Sequence, residues 1–415
     1  MRPYGAPLTH VVVIGAGAAG SMAAIFAAQA GAKTVLLERT RDGGRKILIS
    51  GGGRCNVLPA RLDLARFVTD SPPHLMRRMI RAWPLAEQIA FFETELGLTL
   101  VEETESAKLF PASNKARDVR DGLLALARRR GAEIETGARV TGFSPTGAGR
   151  WRVEREGAPP LEADRIIVAT GGLSVPNTGS DGAGLGVLGA LGHTINPTYA
   201  ALTPLVAEPA PFGHLAGVSL TVTLSARAGA RHATATGGFL FTHRGYSGPA
   251  VLDVSHVAVR SCDEKGERAR LTVQWTPLDE ADWERALRPD GNRGVHRALA
   301  EQMPERLATA LLAWAQVEPG RTLAQLRREE RTRLIETLTR GVLPWTGHEG
   351  YKKAEVTGGG VSLAEIDPGT MESRRHPGLQ ICGEVLDAFG PIGGYNFLWA
   401  WATGRAAGLA AGAAP

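Results

Sequence analysis

The feature that most constrains the fold of this chain is a glycine motif close to its start. A β-branched apolar run, His10–Ile14, leads directly into the spacing GxGxxG, whose glycines are Gly15, Gly17 and Gly20. Small apolar residues over 21–30 then predict a buried helix. In a dinucleotide-binding unit the first glycine permits a tight turn, the second lets the backbone approach a pyrophosphate, and the third lets helix and strand pack closely. The start of the helix also offers free N–H groups to phosphates.

A second strand and an acid complete this unit. Thr34–Glu38 is an apolar run that ends in a carboxylate, at the position where an acid accepts a hydrogen bond from a ribose hydroxyl and disfavours a 2′-phosphate. Strand, glycine turn, helix, strand and acid follow in register, so the sequence predicts a dinucleotide-binding βαβ unit rather than a glycine loop beside an ordinary helix. The motif alone does not separate FAD from NAD.

Composition excludes several classes of protein. A length of 415 residues predicts two or three domains or one with a large insertion, and 43% hydrophobic with 21% charged residues is typical of a soluble globular chain. The net charge of +5 makes the surface mildly basic. Cys55, Cys262 and Cys382 lie far apart without a CxxC pair, which argues against a disulfide framework or a zinc site. Residues 1–5 lack the order of a signal peptide and no stretch is long enough to span a bilayer, so we expect a cytoplasmic protein.

Three further glycine-rich segments lie far apart in the sequence. They cover residues 43–53, 171–172 and 390–394, and the second follows the predicted strand Arg165–Ala169. We expect them to converge on one extended ligand if the end of the chain closes back on the first βαβ unit. A helix over Phe397–Ala411 would then aim its N-terminus at the pyrimidine end of a flavin, where it stabilises negative charge on the reduced ring. This arrangement favours a resident FAD over a transient NAD.

A change of composition predicts an inserted domain. Residues 203–276 show β-branched alternation and residues 280–340 are helical and charged, so we interpret 197–350 as a mixed insertion. Residues 1–196 and 351–415 then form one α/β domain of the doubly wound, Rossmann-like class.

Periodicity predicts the remaining elements of the first domain. Residues 62–97 show helical spacing divided by Pro72-Pro73 and Trp83-Pro84. Asp118–Arg130 reads as an amphipathic helix, and residues 106–115 read as a polar loop.

Several long motifs are similar to those of a known family. They are Gly44-Arg-Lys-Ile-Leu-Ile-Ser-Gly-Gly-Gly-Arg-Cys-Asn56, Gly171-Gly-Leu-Ser-Val-Pro176, Leu240-Phe-Thr-His-Arg-Gly-Tyr-Ser-Gly-Pro249, Met371-Glu-Ser373 and Gly383-Glu-Val-Leu-Asp387 through Gly393-Gly-Tyr-Asn396. On these motifs the chain resembles the BaiN/RdsA (YhiN-like) flavoproteins, NAD(P)/FAD-dependent oxidoreductases, over nearly its whole length. Leu58-Pro59 stands where Thr-Asn is usual, Ala107-Lys108 where Gly-Arg is usual, and Arg374 where Lys is commoner. The chain therefore looks like a divergent member.

The resemblance implies an FAD-binding domain built from both ends of the chain, with a β-rich insertion over the flavin. Family members form dihydrouridine in large-subunit ribosomal RNA or reduce an enone in bile-acid degradation. Both reactions would take a hydride from NAD(P)H through FAD to the β-carbon of a conjugated C=C bond, while an acid protonates the α-carbon. From the glycine motif and the resemblance together, the expected cofactor-binding residues are Gly15, Gly17, Ala18, Ala19, Gly20, Glu38, Arg39, Arg45, Lys46, Ser50, Gly51, Gly52, Gly53, Arg54, Val140, Thr170, Gly171, Gly172, Gly383, Glu384, Gly393, Gly394, Tyr395 and Asn396.

Three residues are candidates for the acid. The Cys55 thiol can donate a proton or be a small buried hydrophobe. His243, in a polar turn, can donate through its imidazole or be structural. Tyr395 adjoins the predicted flavin-facing helix and can donate or pack on the ring. Lys46 and Arg54 can contact a phosphate or the flavin carbonyl, or form surface salt bridges.

The sequence therefore predicts an FAD enzyme that reduces an activated C=C bond, with uridine in large-subunit rRNA as the leading substrate. The alternatives are a reductase of small conjugated-carbonyl compounds and a flavin-bearing RNA-binding factor without turnover. Residues 321–340 are rich in arginine, but interleaved glutamates are typical of a solvated, salt-bridged helix. We expect no metal and no membrane partner, and the sequence leaves the oligomeric state open.

Overall fold

The chain forms two units, and each has its own hydrophobic core. The computed structural model describes residues 8–147, 149–263 and 267–413. Residues 1–5, to which the signal-peptide argument applies, lie outside them. The first unit comprises residues up to Thr198 and from Val356 onward, and the second comprises Tyr199–Glu355. The insertion was expected at 197–350, and the second unit begins two residues and ends five residues later.

The elements of the first unit come from both ends of the chain. Its N-terminal strands are β1 His10–Ile14, β2 Lys33–Glu38, β3 Leu58–Pro59, β4 Leu100–Glu103, β5 Lys108–Pro111, β6 Glu133–Thr136, β7 Val140–Pro145, β8 Trp151–Arg155, β9 Ala158–Ala163 and β10 Arg165–Val168. Its N-terminal helices are α1 Ala18–Gln29, α2 Arg45–Ile49, α3 Pro73–Arg81, α4 Leu85–Thr94, α5 Ala116–Arg129 and α6 Ala183–Ala190. Strand β11, Ile195–Ala201, then leads into the second unit.

The second unit combines one large sheet with a group of helices. Its strands are β12 Leu205–Val206, β13 Ser219–Ala228, β14 Arg231–Thr242, β15 Gly245–Ser247, β16 Arg270–Gln274, β17 Gly341–Leu343 and β18 Gly347–His348. Its helices are α7 Pro249–Asp263, α8 Glu280–Ala286, α9 Val295–Ala300, α10 Glu305–Trp314 and α11 Arg328–Arg340. The chain returns to the first unit with β19 Val356–Val361, β20 Leu379–Ile381 and α12 Tyr395–Gly412.

A parallel sheet organises the first unit. Its strand order is β20-β10-β1-β2-β6, and each neighbouring pair is parallel. Because parallel strands end at one edge, the segments that follow β1, β2, β10 and β20 meet there, which is where ligands bind in open α/β sheets. This parallel sheet confirms the predicted Rossmann-like fold class.

Helix α12 packs directly on α1 through small residues. A β-carbon at Gly404, Gly408 or Gly412 would lie 2.3–2.5 Å from a carbonyl oxygen of α1, namely that of Ala19, Ala23 or Ala27 in turn. The two backbones therefore approach as closely as glycine allows. Helix α1 is buried nearly all round, as its uniformly apolar sequence requires.

The sheet of the second unit has the order β17-β16-β13-β14-β15-β12-β18, with antiparallel pairing. Alternate residues of β13, such as Val222 and Leu224, face a core shared with α7 and with the helices that follow.

Two expectations of secondary structure were wrong. The predicted β-rich stretch 203–276 contains the helix α7, since Val251, Val254 and Val257 recur at helical spacing and are fully buried. The predicted polar loop over 106–115 contains β5, which pairs with β4 and buries Phe110.

Candidate functional site

The glycine turn after β1 has one glycine that nothing in the protein requires. A β-carbon at Gly15 would lie 2.6 Å from the carbonyl oxygen of Ala169, and one at Gly20 would lie 1.8 Å from that of Gly15. At Gly17 a β-carbon would meet no heavy atom within 4 Å. Helix α1 begins at Ala18 with no side-chain cap and no acidic residue in its first turn. Its first N–H groups therefore remain available to an anion beside the space at Gly17.

The acid at the end of β2 is buried and already partly hydrogen bonded. The amide of Ala16 donates to Glu38 Oε2 at 2.9 Å, and the amide and hydroxyl of Thr40 donate to Oε1 at 2.8 and 2.7 Å. Since a carboxylate has about four acceptor positions, one remains for a ribose hydroxyl. The Ala138 amide donates to the Glu38 carbonyl at 2.8 Å, so the chain leading to Val140 runs beside this acid.

The three arginines expected at the cofactor are each paired with a carboxylate. The pairs are Arg39 with Asp181 at 2.6 Å, Arg45 with Asp42 at 2.8 Å and Arg54 with Glu103 at 3.0 Å. The Arg54 guanidinium also lies 4.1 Å from the centre of the Phe110 ring. Salt bridging, the alternative considered for Arg54, is therefore present, and a phosphate contact stays a prediction.

The glycine run after α2 is an exposed turn. Gly51–Gly53 have positive φ angles, and a β-carbon at Gly52 would meet nothing within 4 Å. The hydroxyl of Ser50 donates to the Ile47 carbonyl at 2.8 Å. Of the isoleucines of α2, Ile47 is buried but Ile49 is 54% exposed. Helical spacing explains this difference, because only one face of α2 packs against the unit.

A hydrogen-bonded cluster joins the segment around Lys46, the segment after β10 and the turn after β20. Lys46 Nζ donates to Ser174 Oγ and to Glu384 Oε2, both at 2.6 Å, and Ser174 Oγ donates to Glu384 Oε1 at 2.6 Å. The Thr357 amide donates to Glu384 Oε1 at 3.0 Å. A β-carbon at Gly172 would lie 2.3 Å from Thr357 Oγ1 and 3.1 Å from Glu384 Oε1. The predicted residues Lys46, Gly172 and Glu384 thus lie together, and convergence of residues 390–394 on the same ligand stays a prediction.

The segment after β10 is shaped by close packing. Gly171 has a φ of +72°, and a β-carbon there would lie 2.8 Å from Ser180 Oγ. The hydroxyl of Thr170 is buried without a hydrogen-bond partner among the described residues, and a β-carbon at Gly184 would lie 2.0 Å from it. The Thr170 side chain therefore packs on α6, which leaves its backbone for the predicted cofactor contact.

The turn after β20 lies against the start of α1. A β-carbon at Gly383 would lie 2.7 Å from that of Ala19. The indole of Trp399 donates to the Gly383 carbonyl at 3.0 Å, and the Gly383 amide donates to Thr403 Oγ1 at 3.0 Å. Helix α12 thereby holds this turn, and with it Glu384, in place.

The turn before α12 is closed by its own side chains. Asn396 Oδ1 accepts from the Gly390 amide and Nδ2 donates to the Gly390 carbonyl, both at 2.9 Å. A β-carbon at Gly394 would lie 2.4 Å from the carbonyl carbon of Leu58. Gly393, with a φ of +113°, completes the turn. Helix α12 begins directly after it at Tyr395, two residues before the predicted start at Phe397.

The structure gives the three acid candidates different surroundings. Cys55 is fully buried, and burial raises the pKa of its thiol to about 12, which makes it a poor proton donor near pH 7. The Tyr395 hydroxyl donates to the Arg61 carbonyl at 3.2 Å and accepts from the Asp63 amide at 3.3 Å, both structural contacts. His243 lies exposed in the β14–β15 turn of the second unit.

The sequence did not reveal several residues that shape the site. Ser174 and Thr357 complete the Lys46 cluster, and Trp399 fixes the Gly383 turn. Ser174 lies inside one of the family motifs, but no role was expected for it. The spacing of four between Gly404 and Gly408 was a readable signal for close helix packing.

Neither a metal site nor a membrane span is found in the part of the chain that the structure describes. There, no group of three or more His, Cys, Asp or Glu side chains is placed to hold a metal ion. No helix there is long and apolar enough to cross a membrane.

The residues at the sheet edge fit a dinucleotide cofactor. Gly17 leaves room that a β-carbon would fill, the uncapped start of α1 supplies N–H donors for phosphates, and Glu38 keeps an acceptor for a ribose hydroxyl. The fold and this donor set define the class as a Rossmann-type protein that binds a dinucleotide cofactor. The chain belongs to the HI0933-like family: residues 9–410 match the HI0933-like protein Rossmann domain.

Two curated relatives are similar over nearly their whole length. The 3-dehydro-bile acid delta(4,6)-reductase of Clostridium scindens is 32% identical over 98% of this chain and 100% of its own. A ribosomal RNA dihydrouridine synthase of Escherichia coli is 32% identical over 94% of this chain and 95% of its own. Among solved structures, the 3-ketosteroid-delta4-(5alpha)-dehydrogenase of Rhodococcus jostii covers 99% of this chain and 100% of its own at 16% identity, with a TM-score of 0.46.

Proposed function

We propose that the protein uses NAD(P)H to reduce a carbon–carbon double bond conjugated to a carbonyl group, with uridine in large-subunit rRNA as the leading substrate. The observation that carries this proposal is the pair of whole-length relatives. A dihydrouridine synthase saturates the C=C bond of uracil beside a carbonyl, and a delta(4,6)-reductase of a 3-dehydro compound saturates double bonds conjugated to the 3-oxo group. Both names therefore describe the reduction of a C=C bond conjugated to a carbonyl group.

This chemistry needs a hydride at the β-carbon and a proton at the α-carbon. When bound, FAD supplies the hydride transfer. The chain binds and orients the cofactor through the α1 N-terminus, the space at Gly17 and the Glu38 carboxylate. It must also supply the proton.

We assign the proton to Lys46 Nζ rather than to Cys55. An ammonium group has three N–H donors, and two of them bond to Ser174 and Glu384. The Lys46 side chain is 24% exposed, so the protein does not fully enclose the ammonium group. Ser174 and Glu384 hold the ammonium in position. Cys55 is fully buried.

The test is dihydrouridine in large-subunit rRNA, measured by nucleoside mass spectrometry in the native cells. We expect deletion of the gene to remove one modified site and the wild-type gene to restore it. Gly17→Val should not restore it, because the added side chain fills the space beside α1 without backbone strain, φ being −79°. Gly186→Ala is the matched control, since its β-carbon also meets nothing within 4 Å but lies in α6, outside the proposed site. An unchanged dihydrouridine level would remove uridine as the substrate.

The second candidate is a reductase of small conjugated-carbonyl compounds. The bile-acid reductase supports it with the same identity, 32%, and full coverage of its own chain. Purified FAD-loaded protein, reduced anaerobically by NAD(P)H, distinguishes the two. Flavin reoxidation by a 3-oxo-Δ4 steroid but not by an rRNA fragment would favour this candidate.

A further inference from the structure

The sheet of the second unit has an outer face that carries basic and hydroxyl side chains. On β13 the residues Val222, Leu224 and Ala226 are buried, so the alternate positions face outward. The outward residues of β13, β14 and β16 are Ser219, Thr221, Thr223, Ser225, Arg227, His232, Thr234, Thr236, Gly238, Leu240, Arg270, Thr272 and Gln274. No Asp, Glu, Phe, Tyr or Trp occurs among them.

Three basic residues form a row across this face. Arg270 pairs in register with Arg227, and Arg227 pairs with His232 on the other side. All three are exposed, and within residues 8–147, 149–263 and 267–413 their side chains form no hydrogen bond or ion pair. We call these three residues the basic row. Several exposed arginines elsewhere in this unit do have a carboxylate partner, as Arg244 has in Glu208 at 2.9 Å.

The basic row is unfavourable for the isolated sheet. Like charges placed directly opposite on neighbouring strands destabilise a sheet. Strands lie about 4.8 Å apart, so the row places three basic groups within about 10 Å, a span that a few consecutive phosphates of one nucleic-acid strand can cover. A polyanion bound along the row would remove the repulsion.

Hydroxyl groups occupy the rows beside it. Ser225 Oγ and Thr234 Oγ1 lie 2.9 Å apart across the strands, and Thr223 Oγ1 and Thr236 Oγ1 lie 2.8 Å apart. We call these four residues the hydroxyl rows. A hydroxyl both donates and accepts, so it can bond to phosphate oxygens and to ribose 2′-hydroxyls.

We propose that the basic row and the hydroxyl rows together bind the sugar–phosphate backbone of helical RNA. The proposal rests on the proposed function, in which RNA is the substrate, and it places RNA contacts on the sheet rather than on residues 321–340. The face offers no aromatic ring on which splayed bases could stack, so it suits an RNA helix, which proteins contact through phosphates and 2′-hydroxyls.

The test is direct binding by the FAD-loaded protein to a fluorescently labelled RNA hairpin, followed by anisotropy at several salt concentrations. Arg227→Gln with Arg270→Gln should weaken binding about tenfold or more at 0.1 M salt and reduce the log–log salt slope by about 2. Arg288→Gln with Arg297→Gln removes the same charge from the exposed helical part of this unit and should change affinity less than about twofold. Equal losses in both double variants would overturn the proposal, as would no loss in either.

Two further variants distinguish RNA from DNA and loss of binding from misfolding. Ser225→Ala with Thr234→Ala should reduce the preference for the RNA hairpin over a DNA hairpin of the same sequence. Equal binding of DNA and RNA by the wild type would overturn the assignment to RNA. Arg270→Glu creates a cross-strand ion pair with Arg227, so it should raise thermal stability while it abolishes RNA binding. Loss of stability together with binding would show misfolding and contradict the repulsion within the basic row.

Failure of this proposal is distinguishable from failure of the proposed function. If dihydrouridine depends on the gene but hairpin binding is unchanged in the basic-row variant, RNA binding by the basic row is contradicted and the proposed function is supported. If the basic row binds RNA but dihydrouridine is unchanged on deletion, RNA binding by the basic row is supported and rRNA uridine is contradicted as the substrate.

Discussion

The ammonium of Lys46 lies 2.6 Å from the carboxylate of Glu384, although the two residues are 338 positions apart. Lys46 belongs to α2 near the start of the chain, and Glu384 follows β20 near its end. Ser174, from the segment after β10, bonds to both. One ion pair therefore ties together the segments that form the edge of the parallel sheet where the cofactor is expected.

We expect Lys46→Met to lower both the stability of the protein and its affinity for FAD. The substitution leaves the Glu384 carboxylate, 19% exposed, without its positive partner, which costs about 1–3 kcal/mol. Urea unfolding with and without FAD measures the change. If Lys46 is the proton donor, Lys46→Met should also reduce turnover about 100-fold or more beyond any loss of FAD.

A double-mutant cycle with Glu384→Gln is the control for the ion pair. If the two side chains interact as the distance indicates, the effects of Lys46→Met and Glu384→Gln on unfolding are non-additive by about 0.5–3 kcal/mol. Strict additivity would contradict a coupled pair. Lys46→Arg retains the charge and should recover part of the stability.

The contact between α12 and α1 predicts a strong effect of a single methyl group. At Gly404 a β-carbon would lie 2.3 Å from the Ala19 carbonyl oxygen, so Gly404→Ala must push the helices apart. We expect a destabilisation of about 1–3 kcal/mol, with weaker FAD binding because Ala19 lies in the first turn of α1. Thermal unfolding and FAD titration measure both.

Gly186→Ala is the control for this effect. Gly186 lies in α6 with open space around its β-carbon position, so alanine should stabilise the helix by about 0.5–1 kcal/mol. A Gly404→Ala protein as stable as the wild type would show that the helices are not in backbone contact.

Burial of Cys55 predicts that its thiol takes no part in proton transfer. Because burial raises its pKa to about 12, Cys55→Ala should change turnover less than about threefold and leave the pH profile in place. Iodoacetamide at pH 8 should modify Cys262, which is partly exposed, faster than Cys55 in the native protein. Rapid labelling of Cys55, located by peptide mass spectrometry, would contradict its burial.

The first βαβ unit was predictable because its signals are local. The β1 run, its glycines and Glu38 follow one another within 29 residues, so the whole pattern can be recognised in one short stretch. That the segments after β2 and β10 lie near each other was also predictable, since parallel strands end at one edge of a sheet. Convergence of residues 390–394 on the same ligand stays a prediction.

The partners of individual side chains were not predictable, because they come from distant segments. Nothing local indicates that Thr357 bonds to Glu384 or that the Tyr395 hydroxyl is used by the backbone of residues 61–63. Helix α7 was missed because its valines are compatible with both a strand and a helix. Packing of α7 in the same core as β13 decides in favour of the helix. The basic row was not predictable, because its three residues become neighbours only through the register of β16, β13 and β14.

A buried histidine and a partly buried glutamate in the first unit predict how stability depends on pH. His193 Nδ1 lies 3.0 Å from Glu365 Oε2, and its Nε2 lies 3.1 Å from Ser373 Oγ. Burial lowers the pKa of His193. The Arg375 guanidinium, which donates to Glu365 at 2.6 Å, and Thr194 lower the pKa of Glu365 to about 2.

Both shifts act in the same direction. A depressed pKa in the folded state means that the unfolded chain binds protons more readily, so stability is lost as pH falls. The loss of stability from His193 begins as the pH falls below about 6.5, its pKa in the unfolded chain. The loss from Glu365 occurs between about pH 4.3 and pH 2. Folded stability should therefore fall continuously on acidification through this range.

We expect Glu365→Gln to lower stability at pH 7 and to flatten the stability curve between about pH 4.3 and pH 2. Denaturant midpoints at a series of pH values measure it, and Glu336→Gln, an exposed carboxylate on α11, should leave the shape of the curve unchanged. His193→Gln should remove the part of the slope that begins near pH 6.5. If neither Glu365→Gln nor His193→Gln changes how steeply stability falls on acidification, other residues cause the acid sensitivity.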